Sequence, residues 1–521
     1  MELVDRRNGR FVWLQGSPGT GKTAISKSTA HSLAQDKRLA ASFFWDKTGS
    51  RAGADSIDLF PTTLASQLAT FSRDYEMLLV NRLLDRSFRN VLRRPLKERL
   101  ESLVLEPLSS ISKVFPSEGN YPVVVLDGLD ECGGRDALAK LMELVLLFNR
   151  FPPNFMILVS ARPELEIRTV LGPSQGVPGL YTDKISKKDT NHTIRVMVER
   201  GLAEIPQLHS TWMPSEDDLC AFARTCHQLP VLAEIRVRQV RILASSGYTF
   251  QRAFHIVKDD AATSRDLNDD YLHILRRAYR YGNVVYFALF SGQTAGSPMG
   301  NTEHAVSPYI HRTYRDVVGA VLALRIAPSV QVVSRILAIS EGDIRAVLDP
   351  IGSIVNTPTS SDKPVHFYHA TAKEFLIGPP YGDKDDRVFF FDTKGAVLAL
   401  PLLKILNHKD NLKRNVHMAH TADPVPLGAG KHLELRHLPQ HMAYAADWWS
   451  THFDLSLVSE ELWKELRLFL TTNLLFWMEL QMDHESALRL VLEQKEVSST
   501  PSFNETIPLV IQHVALRGSE C

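Results

Sequence analysis

Apolar positions in the first part of this chain alternate between strand-length runs and helical spacing. Phe11-Val12-Trp13-Leu14 is a short unbroken apolar run, Lys22 to Gln35 reads as a helix, and Leu39 to Trp45 is a second strand-length run. Strand, helix and strand make a first βαβ unit. A polar, Gly-containing loop from Asp46 to Ser56 follows, and then Ile57, Phe60, Leu64, Leu68 and Phe71 recur as one apolar stripe of a helix does. Leu residues at similar spacing predict continued helix from Tyr75 to Val114, and Pro116 to Tyr121 predicts a turn. Pro122-Val123-Val124-Val125-Leu126-Asp127 is β-branched and does not alternate, the signature of a strand buried on both faces of a parallel sheet. A helix with Leu138, Leu141, Val145 and Phe148 on one face separates it from another buried strand, Phe155 to Val159.

Beyond residue 164, Gly172, Pro173, Gly176, Pro178 and Gly179 predict a loop, and Leu180 to Ile185 a last strand. Asp189 is expected to cap the next helix, and helical patterns continue to about residue 260. Ser291 to Pro308 reads as a loop. Ile344 to Leu348 predicts a short helix, with Ile351 to Asn356 and Pro364 to Tyr368 as the arms of a small wing. Past Pro379-Pro380-Tyr381-Gly382 the pattern is helical, with Trp448, Trp449, Trp463, Phe469 and Trp477 expected in its core.

Composition narrows the function classes. At 521 residues the chain exceeds what one core supports. Lys plus Arg equals Asp plus Glu at 59 each, so no global basic field recommends nucleic acid as a specific partner. Cys132, Cys220, Cys226 and Cys521 lack paired metal-ligand spacing and suit a reducing, cytoplasmic setting, with Cys220 and Cys226 expected to be buried. No apolar run is long enough to span a bilayer. His437 and His441 flank Pro439, and no Glu completes a zinc pattern. Only residues 1–10 precede the first strand, so no upstream domain is expected.

The candidate chemistry lies at the strand ends. Gly16-Ser17-Pro18-Gly19-Thr20-Gly21-Lys22-Thr23, followed by Ala24, fits G-x-x-x-x-G-K-[ST] between a strand and a helix, where curled backbone amides and a helix N-terminus hold phosphate. Lys22 is placed to reach the β- and γ-phosphates and Thr23 to put its hydroxyl on Mg²⁺. Asp127 at the end of its strand is the second Mg²⁺ candidate, and Asp130 or Glu131 is positioned to polarise an attacking water. Arg162, after Ser160 and Ala161, offers a rigid fork to a terminal phosphate.

GSPGTGKT, VVVLDGLDE and ILVSARP, in this order and spacing, resemble the NACHT family of STAND signal-transducing NTPases in the form common in fungal proteins. Ala161 departs from that family's third motif. The resemblance implies an α/β P-loop NTPase fold, a parallel sheet sandwiched by helices, over residues 1–188. It further implies a helical lid over 189–262, a winged-helix-like domain over 263–380 and an α-helical C-terminal region over 381–521. The family's Gly-x-Pro turn, whose proline lies on adenine, corresponds to His227-Gln228-Leu229-Pro230, with the glycine replaced. Its F-x-H-x-S/T-x-x-E-F-L segment corresponds to Phe367 through Leu376, which makes His369 the implied ligand of the nucleotide's β-phosphate. ATP or ADP, or the guanine equivalents, with Mg²⁺ are the implied cofactors, and copies of the chain or its relatives the implied partners.

Three function classes remain open at this stage. One is a switch in which ADP holds the domains closed and slow hydrolysis resets it. Another is a binding-only remnant, nucleotide-free or only weakly bound to nucleotide, that interacts with full-length relatives. The weakest is a small-molecule kinase, disfavoured by the long helical tail. No repeat follows the module.

Overall fold

The computed structural model describes residues 9–48, 56–85, 88, 90–115, 121–172, 180–185, 187–206, 212–279, 308–391, 398–409, 411–412, 438–453 and 459–481. These divide into two compact units. The first comprises residues 1–275, 352–356 and 367–375, and the second the remainder.

Five parallel strands organise the first unit: β1 (Phe11–Gln15), β2 (Leu39–Phe44), β3 (Val123–Asp127), β4 (Met156–Ala161) and β5 (Leu180–Lys184), in the spatial order β2-β3-β4-β1-β5. Side-chain alternation splits each central strand between two cores. Phe11, Trp13, Val124, Leu126, Ile157 and Val159 face the larger core, which also takes Phe60, Leu64, Leu68, Leu141 and Phe148. Val12, Leu14, Val123, Val125, Met156 and Leu158 face a smaller one, closed by Ala30 and Leu33. Burial on both sides explains why β3 and β4 read as continuous apolar runs. The edge strand β5 is largely exposed and correspondingly polar.

The helices follow in chain order as α1 (Lys22–Gln35), α2 (Phe60–Phe71), α3 (Arg73–Leu84), α4 (Leu96–Leu100), α5 (Glu106–Ser110), α6 (Arg135–Leu146) and α7 (Leu165–Leu171). After β5 come α8 (Lys187–Ala203), α9 (Glu216–Thr225), α10 (Pro230–Ser245), α11 (Phe250–Thr263) and α12 (Leu267–Tyr279). Side chains cap several of them: Ser72 accepts from the Tyr75 N–H, Thr249 from Arg252, and Ser215 forms a reciprocal capping box with Asp218.

Several expectations are corrected here. Tyr75 to Val114 is not one helix. Helix α3 ends at Leu84, Pro95 sits at the N-terminus of α4, and a π-type turn, Glu101–Leu105, joins α4 to α5. The missing Pro95 N–H and its fixed φ suit a helix start and not an interior. The expected loop after residue 164 contains α7, whose Ile167 and Leu171 are fully buried. Asp189 lies inside α8 and so does not cap it. Cys226 is buried, but Cys220 is half-buried. Residues 173–179, Ser291 to Asn301 and on to 307, His437 and Cys521 lie outside the described residues.

The second unit is helical, with helices at Pro308–Ala323, Val330–Leu337, Glu341–Leu348, Ala399–Asn407, Gln440–Trp448, Glu460–Leu468 and Leu474–Gln481. Buried tyrosines tie it together: Tyr279 donates to the Val347 carbonyl at 2.6 Å and Tyr314 to that of Phe389 at 3.0 Å. Trp449 and Phe469 pack with ring centroids 4.9 Å apart. Trp463, expected in this core, is instead 47% exposed, because Leu462 and Leu466 occupy the buried face of its helix. Among the described residues no helix is long and apolar enough to cross a membrane.

Candidate functional site

Strand register places the candidate residues at one edge of the sheet. Because β4 lies between β1 and β3, Ser160 is level with both Leu14 and Asp127, and the chain leaves β1 at Gly16 just beyond. The phosphate-loop sequence and the acidic strand end therefore meet across a single intervening strand.

The loop's glycines are conformationally required at two positions. Gly19 and Gly21 adopt φ of +75° and +93°, in the left-handed region. A Cβ on Gly19 would also lie 2.3 Å from Val231 Cγ1. Helix α1 begins at Lys22 with Gly21 as its N-cap, no side-chain cap and no acidic residue in its first turn. Its leading N–H groups thus lack a side-chain acceptor, the condition under which a helix N-terminus takes an anion. Ser17, Thr23 and Ala24 are exposed, and Pro18 is half-buried. Thr20 Oγ1 donates to the Ser17 carbonyl at 2.8 Å, and Lys22 Nζ to the carbonyls of Gly16 and Ser17 at 2.9 and 3.1 Å. Burial lowers the Lys22 pKa, against which Asp130, Asp127 and Glu131 act from across the site.

Asp127 is fully buried. Ser160 Oγ donates to its Oδ1 at 2.5 Å, while Oδ2 has no hydrogen-bond partner. Burial raises its pKa, and the Ser160, Thr23 and Ser26 hydroxyls oppose the rise. Of these three only Ser160 reaches hydrogen-bonding geometry, and Ser26 Oγ is itself buried and unpartnered. An orphaned carboxylate oxygen beside two hydroxyls is the donor set a hard divalent cation takes. Thr23 and Asp127 therefore fit Mg²⁺.

Gly128, at φ +74°, turns the chain so that Asp130 and Glu131 lie in a short 3₁₀ turn behind Asp127. Asp130 is buried and committed. Its Oδ1 accepts the Arg162 backbone N–H at 3.0 Å, and its Oδ2 pairs with Arg162 Nε at 2.9 Å. Arg162 Nη1 reaches Glu374 Oε2 at 2.8 Å. Burial works against the guanidinium's charge, but Glu374, Asp130 and Glu131 outweigh it and raise its pKa. Glu131 is differently placed. Among the described residues its Oε2 accepts only the Lys47 backbone N–H, at 3.2 Å, and burial together with Asp130 pushes its pKa up to about 7.

Two residues from later in the chain reach the same site. Pro230 is the first residue of α10, and its Cγ would lie 3.9 Å from a Cβ built on Gly21, while the Val231 N–H donates to the Gly19 carbonyl at 3.3 Å. The preceding His227 and Gln228 take φ of +47° and +62°, a cost of about 1 kcal/mol each for residues with a Cβ. His227 Nε2 contacts the Ser264 carbonyl at 3.0 Å, anchoring the turn. His369 is mostly buried, and burial, with Arg162 and Lys22 adding positive charge, drops its pKa to about 4. It is neutral at physiological pH.

Sequence reasoning assigned no role to Ser26, Lys47, Glu374, Thr371 or Tyr271. Lys47 Nζ donates to the Asp130 carbonyl at 2.6 Å, and Lys373 Nζ to that of Lys47 at 3.2 Å. Ser26 left a local signal, three residues after Thr23 on the helix face that returns to the site, and Thr371 and Glu374 stand at specified positions of the segment that singled out His369; Lys47 and Tyr271 left none.

A family model described as nephrocystin 3, N-terminal, matches residues 2–162. No curated protein matches the chain. Among solved structures the chain is similar to a Walker-type ATPase of Pyrococcus abyssi, at 15% identity over 71% of this chain and 91% of that one, with a TM-score of 0.32. It is also similar to a chain in a structure of Drosophila ORC bound to DNA, at 10% identity over 72% and 91%, with a TM-score of 0.26.

Proposed function

We propose that this chain is a nucleotide-operated switch of the NACHT and STAND type, binding ATP or ADP with Mg²⁺ and hydrolysing the triphosphate slowly in a cytoplasmic setting. The observation that carries this reading is the convergence on one site of Lys22, Asp127, Glu131, Arg162 and His369, whose charges set one another's ionisation. Amides at the start of α1 and the Lys22 ammonium would hold the phosphates, and Pro230 would lie against the base. Thr23 and Asp127 would hold Mg²⁺, which supplies neutralisation of charge on the β- and γ-phosphate oxygens. The guanine nucleotides fit this phosphate site equally well.

Of the two acidic candidates for orienting water, the geometry favours Glu131. Both Asp130 oxygens are occupied by Arg162, whereas Glu131 has one modest contact and a pKa near neutrality, where a general base works best. Asp130 then acts through Arg162, whose Nη2 has no hydrogen bond among the described residues and so can face a phosphate. A nucleotide that contacts His369 as well as the loop favours the packing that brings them together, which is what a population shift requires. Self-association, or association with relatives, would be the output.

The commitment of Asp130 and Arg162 to each other also suits a chain that binds nucleotide without turning it over. Equilibrium binding and turnover of ATP and ADP by wild type, Lys22→Ala and Glu131→Gln separate the two. Lys22→Ala should lose roughly tenfold or more in affinity, the worth of a charge-assisted hydrogen bond, and Glu131→Gln should keep affinity but lose turnover. A wild-type protein that binds no nucleotide sinks the switch and leaves the nucleotide-free remnant that acts through its relatives.

A further inference from the structure

His369 is held from behind by two buried hydroxyls. Tyr271, on α12, is fully buried, and its hydroxyl lies 2.7 Å from Thr371 Oγ1. Thr371 Oγ1 lies 2.6 Å from His369 Nδ1, and the Thr371 backbone N–H donates to the same nitrogen at 3.2 Å. The donor count gives this chain a direction. A backbone N–H can only donate, so Nδ1 is an acceptor and the neutral ring carries its proton on Nε2. The Thr371 hydroxyl, facing a nitrogen without a proton, must also donate. Its oxygen is then left to accept from Tyr271.

We propose that Tyr271 and Thr371 are positioning residues that hold His369 in the Nε2–H tautomer, presenting one fixed donor to a phosphate oxygen of a bound nucleotide. The proposal rests on the nucleotide-switch reading for its ligand, but not for the state of the ring. Three further observations support it. Nε2 has no hydrogen-bond partner among the described residues. Arg162 and Lys22, the cationic groups of the site, are the charges that act most strongly on the ring. Burial holds Tyr271 protonated, and its ring packs at 5.4 Å from that of Phe375, so the far end of the relay is itself fixed. A neutral donor differs from an imidazolium: it adds no net charge, so it can bind and release a phosphate beside Lys22 and Arg162 without like-charge repulsion.

The test uses the full chain labelled with ¹⁵N-histidine. Long-range proton–nitrogen spectra, with the His369 signals assigned by their loss in His369→Gln, report which ring nitrogen is protonated. Wild type should show a protonated Nε2 and a bare Nδ1 from roughly pH 7 to 9, above a free imidazole's own titration. Thr371→Val keeps the backbone N–H and the side-chain shape but removes the hydroxyl. Only the longer 3.2 Å backbone bond then holds Nδ1, so the variant should draw the two nitrogen shifts partly together and speed ADP dissociation about fivefold, as loss of one typical hydrogen bond does. Thr371→Ser should restore both readouts, and Tyr271→Phe should shift both in the same direction by less. A protonated Nδ1 in wild type, or a Thr371→Val variant with the wild-type ring pattern, overturns the positioning role. If wild type binds no ADP, the switch reading fails while the ring pattern still decides this proposal.

Discussion

Replacing Arg162 tests whether the strand-end cluster is built around its guanidinium. Arg162 joins a carboxylate that is 3% exposed, Asp130, to one that is 35% exposed, Glu374. The two pairs should therefore differ sharply in worth. Arg162→Leu leaves the Asp130 charge buried without its counter-ion, a change that costs about 3 to 5 kcal/mol. The Arg162 backbone N–H would still donate to Oδ1, at 3.0 Å in the wild-type structure, so the loss should fall at the lower end, about 3 kcal/mol. Glu374→Gln removes only the half-exposed partner, and exposed pairs contribute about 1 kcal/mol or less.

Urea unfolding at neutral pH, read as a change in midpoint at constant slope, measures both. Asp130→Asn in the Arg162→Leu background removes the buried charge that the first substitution stranded, so the pair should be less destabilising than the sum of the singles by about 1 to 2 kcal/mol. If Arg162→Leu costs no more than Glu374→Gln, or if the two substitutions simply add, the guanidinium is not the counter-ion that the geometry makes it.

Gly19→Ala should cost about 1 to 2 kcal/mol from the left-handed backbone alone, more from the 2.3 Å approach to Val231 Cγ1, and should weaken nucleotide binding; unchanged affinity would remove the loop from the site. Glu131→Gln should raise stability above neutral pH. The folded pKa of about 7 lies above the ordinary 4.5, so wild type loses stability as pH rises between those values, by an amount on the order of 3 kcal/mol, and a melting temperature at pH 8 no higher than wild type would refute this. His369 has the opposite sign: its pKa falls from 6.5 to about 4, so its stability contribution is complete above pH 6.5 and is lost as pH falls towards 4. His369→Gln should flatten that acid limb of the stability curve by up to about 3 kcal/mol, and an unaltered acid limb would show that the ring is not buried neutral.

The contrast between what was legible and what was not follows from the range over which each signal is written. Lys22, Thr23 and Asp127 were readable because the chemistry is imposed by consecutive backbone: a glycine-rich turn into a helix, and a carboxylate at the end of an apolar strand. The strands β1, β3 and β4 were readable because burial on both faces leaves continuous apolar runs, with polar residues confined to their C-terminal ends. Helix α7 was obscured by the Gly and Pro residues after it and by β-branched Ile167, Thr169 and Val170, although Ile167 and Leu171 carry the four-residue spacing of a buried face. Trp463 was misplaced by size alone, since Leu462 and Leu466 already marked the inner face of its helix.

The partners of the site residues posed a different problem. Arg162 and Glu374 are 212 positions apart, and Tyr271 and Thr371 are 100 apart. Nothing in a periodicity or a spacing motif couples such positions, because the coupling is made by side chains that meet only when residues 162, 271, 371 and 374 are folded together within the first unit. That has a chemical consequence. The sequence motif specifies which groups could touch a nucleotide, while their roles are decided by what already holds each of them: Arg162 occupies Asp130 and so leaves Glu131 as the less committed carboxylate, and Thr371, itself tied to Tyr271, occupies Nδ1 and so leaves Nε2 as the donor. Acid and base assignments in a site of this kind follow from which oxygen or nitrogen is already taken, and only the folded chain shows that.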